Sequence, residues 1–220
     1  MNNQFLSKRL ALLKNKGFYP KVIYDIGAFQ GHWSHAVSQT FQESEFYLFE
    51  ANTENRPILE KQPFPFFLEL LRDEEKEMAF YCKESPCTGE SIFCEQSSYF
   101  QQNPVVRRVK MKTLASVVEA NKLPQPDLVK VDVQGAELAI LQGSKELIQS
   151  AEAVILETKI LEYNLGAPLG HELIAYMSEL GYRILDILEL HYLQTGELNE
   201  VDYLFVKSNS RLIAQPPFSV

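Results

Sequence analysis

The sequence predicts an α/β fold built on a mostly parallel sheet. Three observations carry this. Short apolar runs alternate with segments of helical periodicity, the pattern of parallel strands joined by helical crossovers. Several apolar runs end abruptly in an acid: Asp25, Glu50, Asp132 and Glu157. The last two runs are separated by Thr195-Gly196-Glu197 with no helix between them, so they pair antiparallel and close the sheet.

In order along the chain, residues 3–16 read as a helix, with Phe5, Leu6, Leu10, Leu12 and Leu13 giving an apolar face and Gly17 ending it. Val22-Ile23-Tyr24 is the first strand, followed by Asp25-Ile26-Gly27-Ala28-Phe29-Gln30-Gly31 and a helix from His32 to Thr40. Glu45 to Phe49 is the second strand and ends at Glu50. Residues 53–61 read as helix, stopped by Pro63 and Pro65. Phe66 to Leu71 is a third strand, and Met78 to Cys82 follows a charged turn. The stretch 84–104 lacks periodicity and reads either as a lid or as a surface insertion. Val105 to Met111 is a strand and Thr113 to Ala120 a helix. Asp127 to Val131 is a buried strand ending at Asp132, followed by a helix from Ala136. Ala153 to Leu156 is a strand ending at Glu157. Residues 171–180 form an amphipathic helix closed by Gly181, and Tyr182–Leu190 and Val201–Val206 are the closing strands.

The chain has 220 residues, 45% hydrophobic and 23% charged, which is a globular composition and one domain over 1–220, with 1–19 as an N-terminal helical extension. No apolar run reaches the roughly 18 residues of a membrane span, and the first residues lack the pattern of a signal peptide. A cytoplasmic protein is the expectation. The net charge of −8 repels phosphate backbones, so no nucleic-acid partner is expected. The basic group Arg107, Arg108, Lys110 and Lys112 alternates with apolar residues and reads as a solvated strand face. Cys82, Cys87 and Cys94 are odd in number and not spaced C-x-x-C, so they read as reduced thiols.

Ligands of open α/β sheets sit outside the carboxyl ends of the strands, at the switch in strand order. Acids ending apolar strands therefore mark a site, because a buried unpaired carboxylate is costly. In the first such segment Gly27 permits a tight turn and Gly31 lets the helix start close to the sheet. The helix N-terminus favours a carboxylate. A dinucleotide site would read G-x-G-x-x-G, whereas this segment reads G-A-F-Q-G after Asp25, which repels a pyrophosphate. An acid there suits a ligand that is cationic nearby. S-adenosylmethionine carries an ammonium and a sulfonium beside a carboxylate, and is the expected cofactor. Its contacts are expected from Asp25, Gly27, Ala28, Phe29, Gln30 and Gly31. Glu50 with Ala51 would read the ribose hydroxyls, the alternative being a cap for the helix near Asn52.

Asp25–Gly31, Phe49-Glu50-Ala51 and above all Leu128-Val-Lys-Val-Asp-Val-Gln-Gly-Ala-Glu-Leu-Ala-Ile-Leu-Gln-Gly143 resemble the FkbM-type methyltransferases. Glu157, Gly181-Tyr182 and Asp202-Tyr-Leu-Phe-Val206 also fit, so the resemblance spans residues 20–207. It implies a Rossmann-like class I methyltransferase fold: a seven-stranded sheet, antiparallel at its last strand, with helices on both faces. It implies methyl transfer to a hydroxyl of a sugar, glycolipid or natural product. Thr113-Leu114-Ala115 departs from the family's Thr-Leu-Asp, and Arg72 stands where small residues are usual. Asp73 would reach the adenine amino group, and Val133 follows Asp132 at the cofactor.

Methyl transfer to a hydroxyl needs positioning and a route for the proton. Asp132 is the first candidate for base, or for metal ligand if a divalent metal takes part. Glu137, Glu157 and His171 are the further catalytic candidates, with helix stabilisation the competing role for Glu137. Trp33 and Phe29 could face the ligand or the core. Two other function classes fit less of the sequence: an inactive S-adenosylmethionine-binding accessory module, and a nicotinamide-dependent oxidoreductase.

Overall fold

The computed structural model of the protein describes residues 3–82 and 105–216. Its elements are α1 (Asn3–Asn15), β1 (Val22–Ile26), α2 (His32–Ser38), β2 (Glu45–Glu50), a 3-10 turn (Thr53–Asn55) running into α3 (Arg56–Leu59), β3 (Phe66–Leu68), β4 (Leu70–Leu71), β5 (Glu77–Cys82), β6 (Val105–Lys112), α4 (Leu114–Asn121), β7 (Leu128–Val131), α5 (Glu137–Gly143), α6 (Lys145–Ser150), β8 (Ala153–Lys159), α7 (Gly170–Glu179), β9 (Tyr182–Tyr192) and β10 (Leu198–Lys207).

Seven strands form one sheet in the order β3-β2-β1-β7-β8-β10-β9. β1 pairs parallel with β2 and β7, and β7 with β8, while β10 runs antiparallel to both β8 and β9. Chain order reverses between β1 and β7, which makes their carboxyl ends the switch point. β1, β7 and β8 are buried along their whole length, as strands covered on both faces must be. Alternate side chains feed two cores. Tyr24, Phe49, Val131, Leu156 and Met177 lie on one face; Ile23, Leu48, Ile155 and Leu204 lie on the other. Leu6, Leu10 and Leu13 of α1 join the second core beside Leu188. At about 2 kcal/mol for each buried leucine, α1 contributes to the domain rather than hanging from it.

The third strand differs from the expectation. The run Phe66–Leu71 is not one strand: Phe66–Leu68 pairs with β2, while Leu70–Leu71 moves to a second, three-stranded sheet, β4-β6-β5. The carbonyl of Glu50, the last residue of β2, takes the amide of Glu69 at 2.9 Å, so β2 offers nothing beyond it. The chain turns to β6 instead, Leu70 facing Met111. The helices foreseen over 32–40 and 53–61 are shorter, ending at Ser38 and Leu59. Arg108 and Lys110 of β6 are exposed and Met111 is buried, the alternation of a solvated strand face. The stretch 84–104, with Cys87 and Cys94, lies outside the described residues. No helix among the described residues is long and apolar enough to cross a membrane.

Candidate active site

The turn after β1 crosses the end of β7 in close contact. Gly27 has φ +78°, and a Cβ built on it would lie 1.8 Å from the carbonyl oxygen of Asp132, so no other residue fits. The amides of Gly27 and Ala28 donate to the Phe49 carbonyl at 2.9 and 3.0 Å. Phe29 is held at φ +50°, unusual for a bulky side chain. Its amide donates to Glu50 Oε2 at 2.7 Å, and the other Glu50 oxygen accepts from the Asn52 amide at 2.8 Å. Glu50 therefore joins the turn after β1 to the turn after β2. The capping of the 3-10 turn is done by Asn52, whose Oδ1 accepts from the Glu54 amide. The Gln30 carbonyl accepts from Gln62, and Gly31 is buried at the start of α2.

Asp25 does not open onto solvent. It is 0% exposed. Its Oδ2 accepts from Ser34 at 2.6 Å, and its Oδ1, 3.6 Å from the Lys130 ammonium, has no hydrogen-bond donor. Burial pushes the Asp25 carboxyl up, against the pull of Lys130 and Ser34. Lys130 is the residue that sequence reasoning missed here. It is 3% exposed, faces Asp25 in the β1–β7 register, and donates to Asp132 Oδ2 at 2.9 Å. Its ammonium also lies 5.6 Å from the centre of the Trp33 ring, and Trp33 belongs to the core. Burial alone would lower the Lys130 ammonium; Asp132 and Asp25 together hold it above its ordinary value.

Asp132 keeps its side chain 25% exposed at the end of β7. Burial favours its neutral form, but Lys130 outweighs that and holds the carboxyl below its usual range. Next to it, Gln134 sits at φ +59° and donates to Asp132 Oδ1 at 3.4 Å. It donates to Glu157 at 2.8 Å, accepts from the Lys159 ammonium at 2.8 Å, and its carbonyl takes Asn164 at 2.7 Å. Glu157 is 7% exposed and is pushed well above the carboxylate range, first by burial and then by the charge of Asp132. Lys159, 2% exposed, donates to Glu157 at 2.7 Å and to Glu200. Phe29 in the turn after β1 and Gln134 in the turn after β7 both sit in the left-handed region, and these two turns meet where Gly27 packs on Asp132, as strain tends to gather at functional sites.

The remaining candidates fall elsewhere. Glu137 is 1% exposed, and one oxygen accepts from the amides of Val133 and Gly135, each at 3.1 Å. It braces the turn after β7 instead of facing the cleft. His171 is exposed at the second position of α7. Asp73 pairs with its neighbour Arg72 at 3.0 Å, and Ala115 donates its amide to Ser144 at 3.0 Å on α4. Asp132, placed on Lys130, is in neither of the described groups of acids and histidine close enough to share a cation; those are Glu157–His191–Glu200 and Glu189–His191–Asp202. A groove of about 520 Å³ lined by Phe18, Asp127, Glu152 and Lys207 lies at the opposite, amino edge of the strands, where doubly wound sheets do not place ligands.

Charged residues cross the sheet in a row on one face. Asp25 faces Lys130. Glu157 faces Asp202, and Lys159 faces Glu200. Asp202 and Glu200 in turn face Glu189 and His191. The available signal was spacing: K-x-D at 130–132, E-x-K at 157–159, E-x-H at 189–191 and E-x-D at 200–202 each put two charged or titratable groups on one strand face.

This strand order, with a glycine turn after the first strand and an acid after the second at the switch point, is that of the S-adenosylmethionine-dependent methyltransferases of the Rossmann-like class. Within that class the chain belongs to the FkbM methyltransferase family, whose domain, described as Methyltransferase FkbM domain, matches residues 25–184. A stretch of 49 residues is 43% identical to the hexuronic acid methyltransferase AglP of Haloferax volcanii, covering 21% of this chain and 20% of that one. Magnesium protoporphyrin IX methyltransferase of Synechocystis PCC 6803, solved with bound SAM, shares the fold at a TM-score of 0.52 and 11% identity, over 94% of this chain and 79% of that one. An uncharacterized protein of Listeria monocytogenes serotype 4b does so at 0.50 and 13%, over 94% and 70%. The residues fit S-adenosylmethionine. Glu50 and Asp132 border the turn, where a diphosphate would meet like charge, whereas Asp25, expected to contact the cofactor, is itself sealed from solvent.

Proposed function

We propose that the protein methylates a hydroxyl oxygen of a sugar-type acceptor, with Asp132 receiving the proton. The carrying observation is the state of Asp132. It is the partly exposed acid at the switch point, beside the Gly27 turn, and Lys130 keeps it ionised. The sugar reading is supported by the stretch shared with a hexuronic acid methyltransferase.

When bound, S-adenosylmethionine supplies a methyl carbon already attached to a good leaving group. The turn from Gly27 to Gly31 and Glu50 would hold it at the carboxyl ends of β1 and β2. Asp132 accepts a hydrogen bond from the acceptor hydroxyl, which fixes that oxygen in line for attack. A carboxylate held below its usual range is a weak base before the bond forms. The attacking oxygen becomes strongly acidic as it bonds to carbon, so Asp132 takes the proton at that stage. Gln134, braced by Glu157, Lys159 and Asn164, shapes the acceptor side and does not itself take the proton.

The experiment pairs calorimetric titration of S-adenosylhomocysteine with transfer of a labelled methyl group to a panel of hexose, hexuronate and polyol acceptors. Micromolar binding with turnover on a hydroxylated acceptor supports the reading. Tight binding with no turnover on any acceptor favours an accessory module. Binding of NADH in place of the cofactor would refute both.

A further inference from the structure

We propose that Glu189 and His191 of β9 and Asp202 of β10 form a binding site for a divalent transition metal on the acceptor side of the sheet. This is separate from the methyl-transfer reading, which uses Asp132 and no metal.

Glu189 and His191 are two apart on one strand, and so are Glu200 and Asp202 on the next, so all four present to the same face. The antiparallel register sets Asp202 opposite Glu189 and Glu200 opposite His191, which makes a four-cornered set of three carboxylates and one imidazole. One ligand atom each from Glu189, His191 and Asp202 lie within 4.8 Å of one another. Independently, Asp202 is 8% exposed and its Oδ1 has no hydrogen-bond partner, a costly state for a buried carboxylate oxygen. That oxygen points at His191, 3.7 Å from Nε2. This is too long for a hydrogen bond, and close to the ~3.4 Å separating two ligands bound tetrahedrally at about 2.1 Å.

The other cations nearby are committed. Lys159 lies between Glu157 and Glu200, which fills the alternative grouping of those acids with His191. Lys130 lies on Asp132 and Asp25. A metal would take the imidazole lone pair of His191, which is available only in the neutral ring. An imidazole among the ligands favours zinc over magnesium or calcium, and the carboxylates suit manganese as well.

The test is calorimetric titration of ZnCl₂ and of MnCl₂ into the full chain, after treatment with a chelator and its removal. It is repeated on His191→Ala, Asp202→Asn and Glu189→Gln. One ion per chain is expected, with affinity falling at least about tenfold in each variant, the scale on which altered metal sites lose affinity. The affinity for S-adenosylhomocysteine should be unchanged in Glu189→Gln and His191→Ala, so loss of metal binding is distinguishable from failure of the cofactor site. Absence of stoichiometric binding by both metals overturns the proposal. So does wild-type affinity in the folded variants. Glu189, half-buried on the edge strand, is the change least able to unfold the chain and decides the matter if Asp202→Asn does not fold.

Discussion

Replacing Lys130 by Met tests whether the row of charges holds the site together. The ammonium lies 2.9 Å from Asp132 and 3.6 Å from Asp25. At an effective dielectric of about 20, unit charges at those separations attract by about 6 and 5 kcal/mol. Desolvating the three groups costs several kcal/mol each, so the intact cluster adds little net stability. Met keeps the stem's volume and removes only the charge. The desolvation of Asp25, at 0% exposure, is then offset only by the Ser34 hydrogen bond, and the expected loss is about 3–5 kcal/mol. Asp25→Asn/Lys130→Met should recover most of it, because the buried acid is gone too, while Asp132 keeps access to water. The assay is urea unfolding followed by the fluorescence of Trp33, the single tryptophan, whose ring lies 5.6 Å from the ammonium. A single variant within about 1 kcal/mol of wild type, or a double variant no better than the single, would refute the assignment of Lys130 as the keystone of the switch point.

Three further outcomes are expected. Gly27→Ala forces a Cβ against the Asp132 carbonyl and strains a residue at φ +78°; the left-handed penalty and the overpacking together cost about 2–5 kcal/mol, read by urea unfolding, and cofactor affinity falls with it. Asp132→Asn should leave S-adenosylhomocysteine affinity within about threefold and lower kcat by about 10²–10⁴, the usual weight of a proton acceptor, in single-turnover transfer assays. Glu157 has its carboxyl raised by burial, so the folded state holds its proton more tightly than the unfolded chain does. Wild-type stability therefore falls as pH rises from the unfolded value near ~4.3 through the folded one. Glu157→Gln removes that dependence, so its stability relative to wild type should rise between pH 5 and pH 8, and a flat or falling difference across urea melts would show that Glu157 is already ionised.

Much of the sheet was legible along the chain. Val22–Ile26, Leu128–Val131 and Ala153–Lys159 are buried on both faces, and the apolar stretches Val22–Tyr24, Leu128-Val129 and Ala153–Leu156 mark them, while the burial of Asp25, Lys130, Glu157 and Lys159 was not legible. Gly27 was legible because a position that excludes Cβ leaves glycine in the sequence. The break at Glu69 was not, because an apolar run encodes burial and not which strand it pairs with. Glu137 read either as a catalytic acid or as a helix stabiliser, because its spacing from Asp132 carries no sign of the amides of Val133 and Gly135 that it binds.

The order of the elements, the glycine turn between Asp25 and Gly31, and the positions of the acids at the strand ends are written in the chain. These follow from local rules: period-two burial, backbone conformations open to glycine, and the cost of placing a charge in an apolar run. Which charges meet is set by the packing of the folded chain. Lys130 reaches Asp25, and Lys159 reaches Glu200, across strands far apart in the chain. A carboxylate's chemistry depends on its distance to the opposite charge and on the water left around it. Asp132 is therefore held ionised while Glu157, also an acid at a strand end, is pushed toward its neutral form.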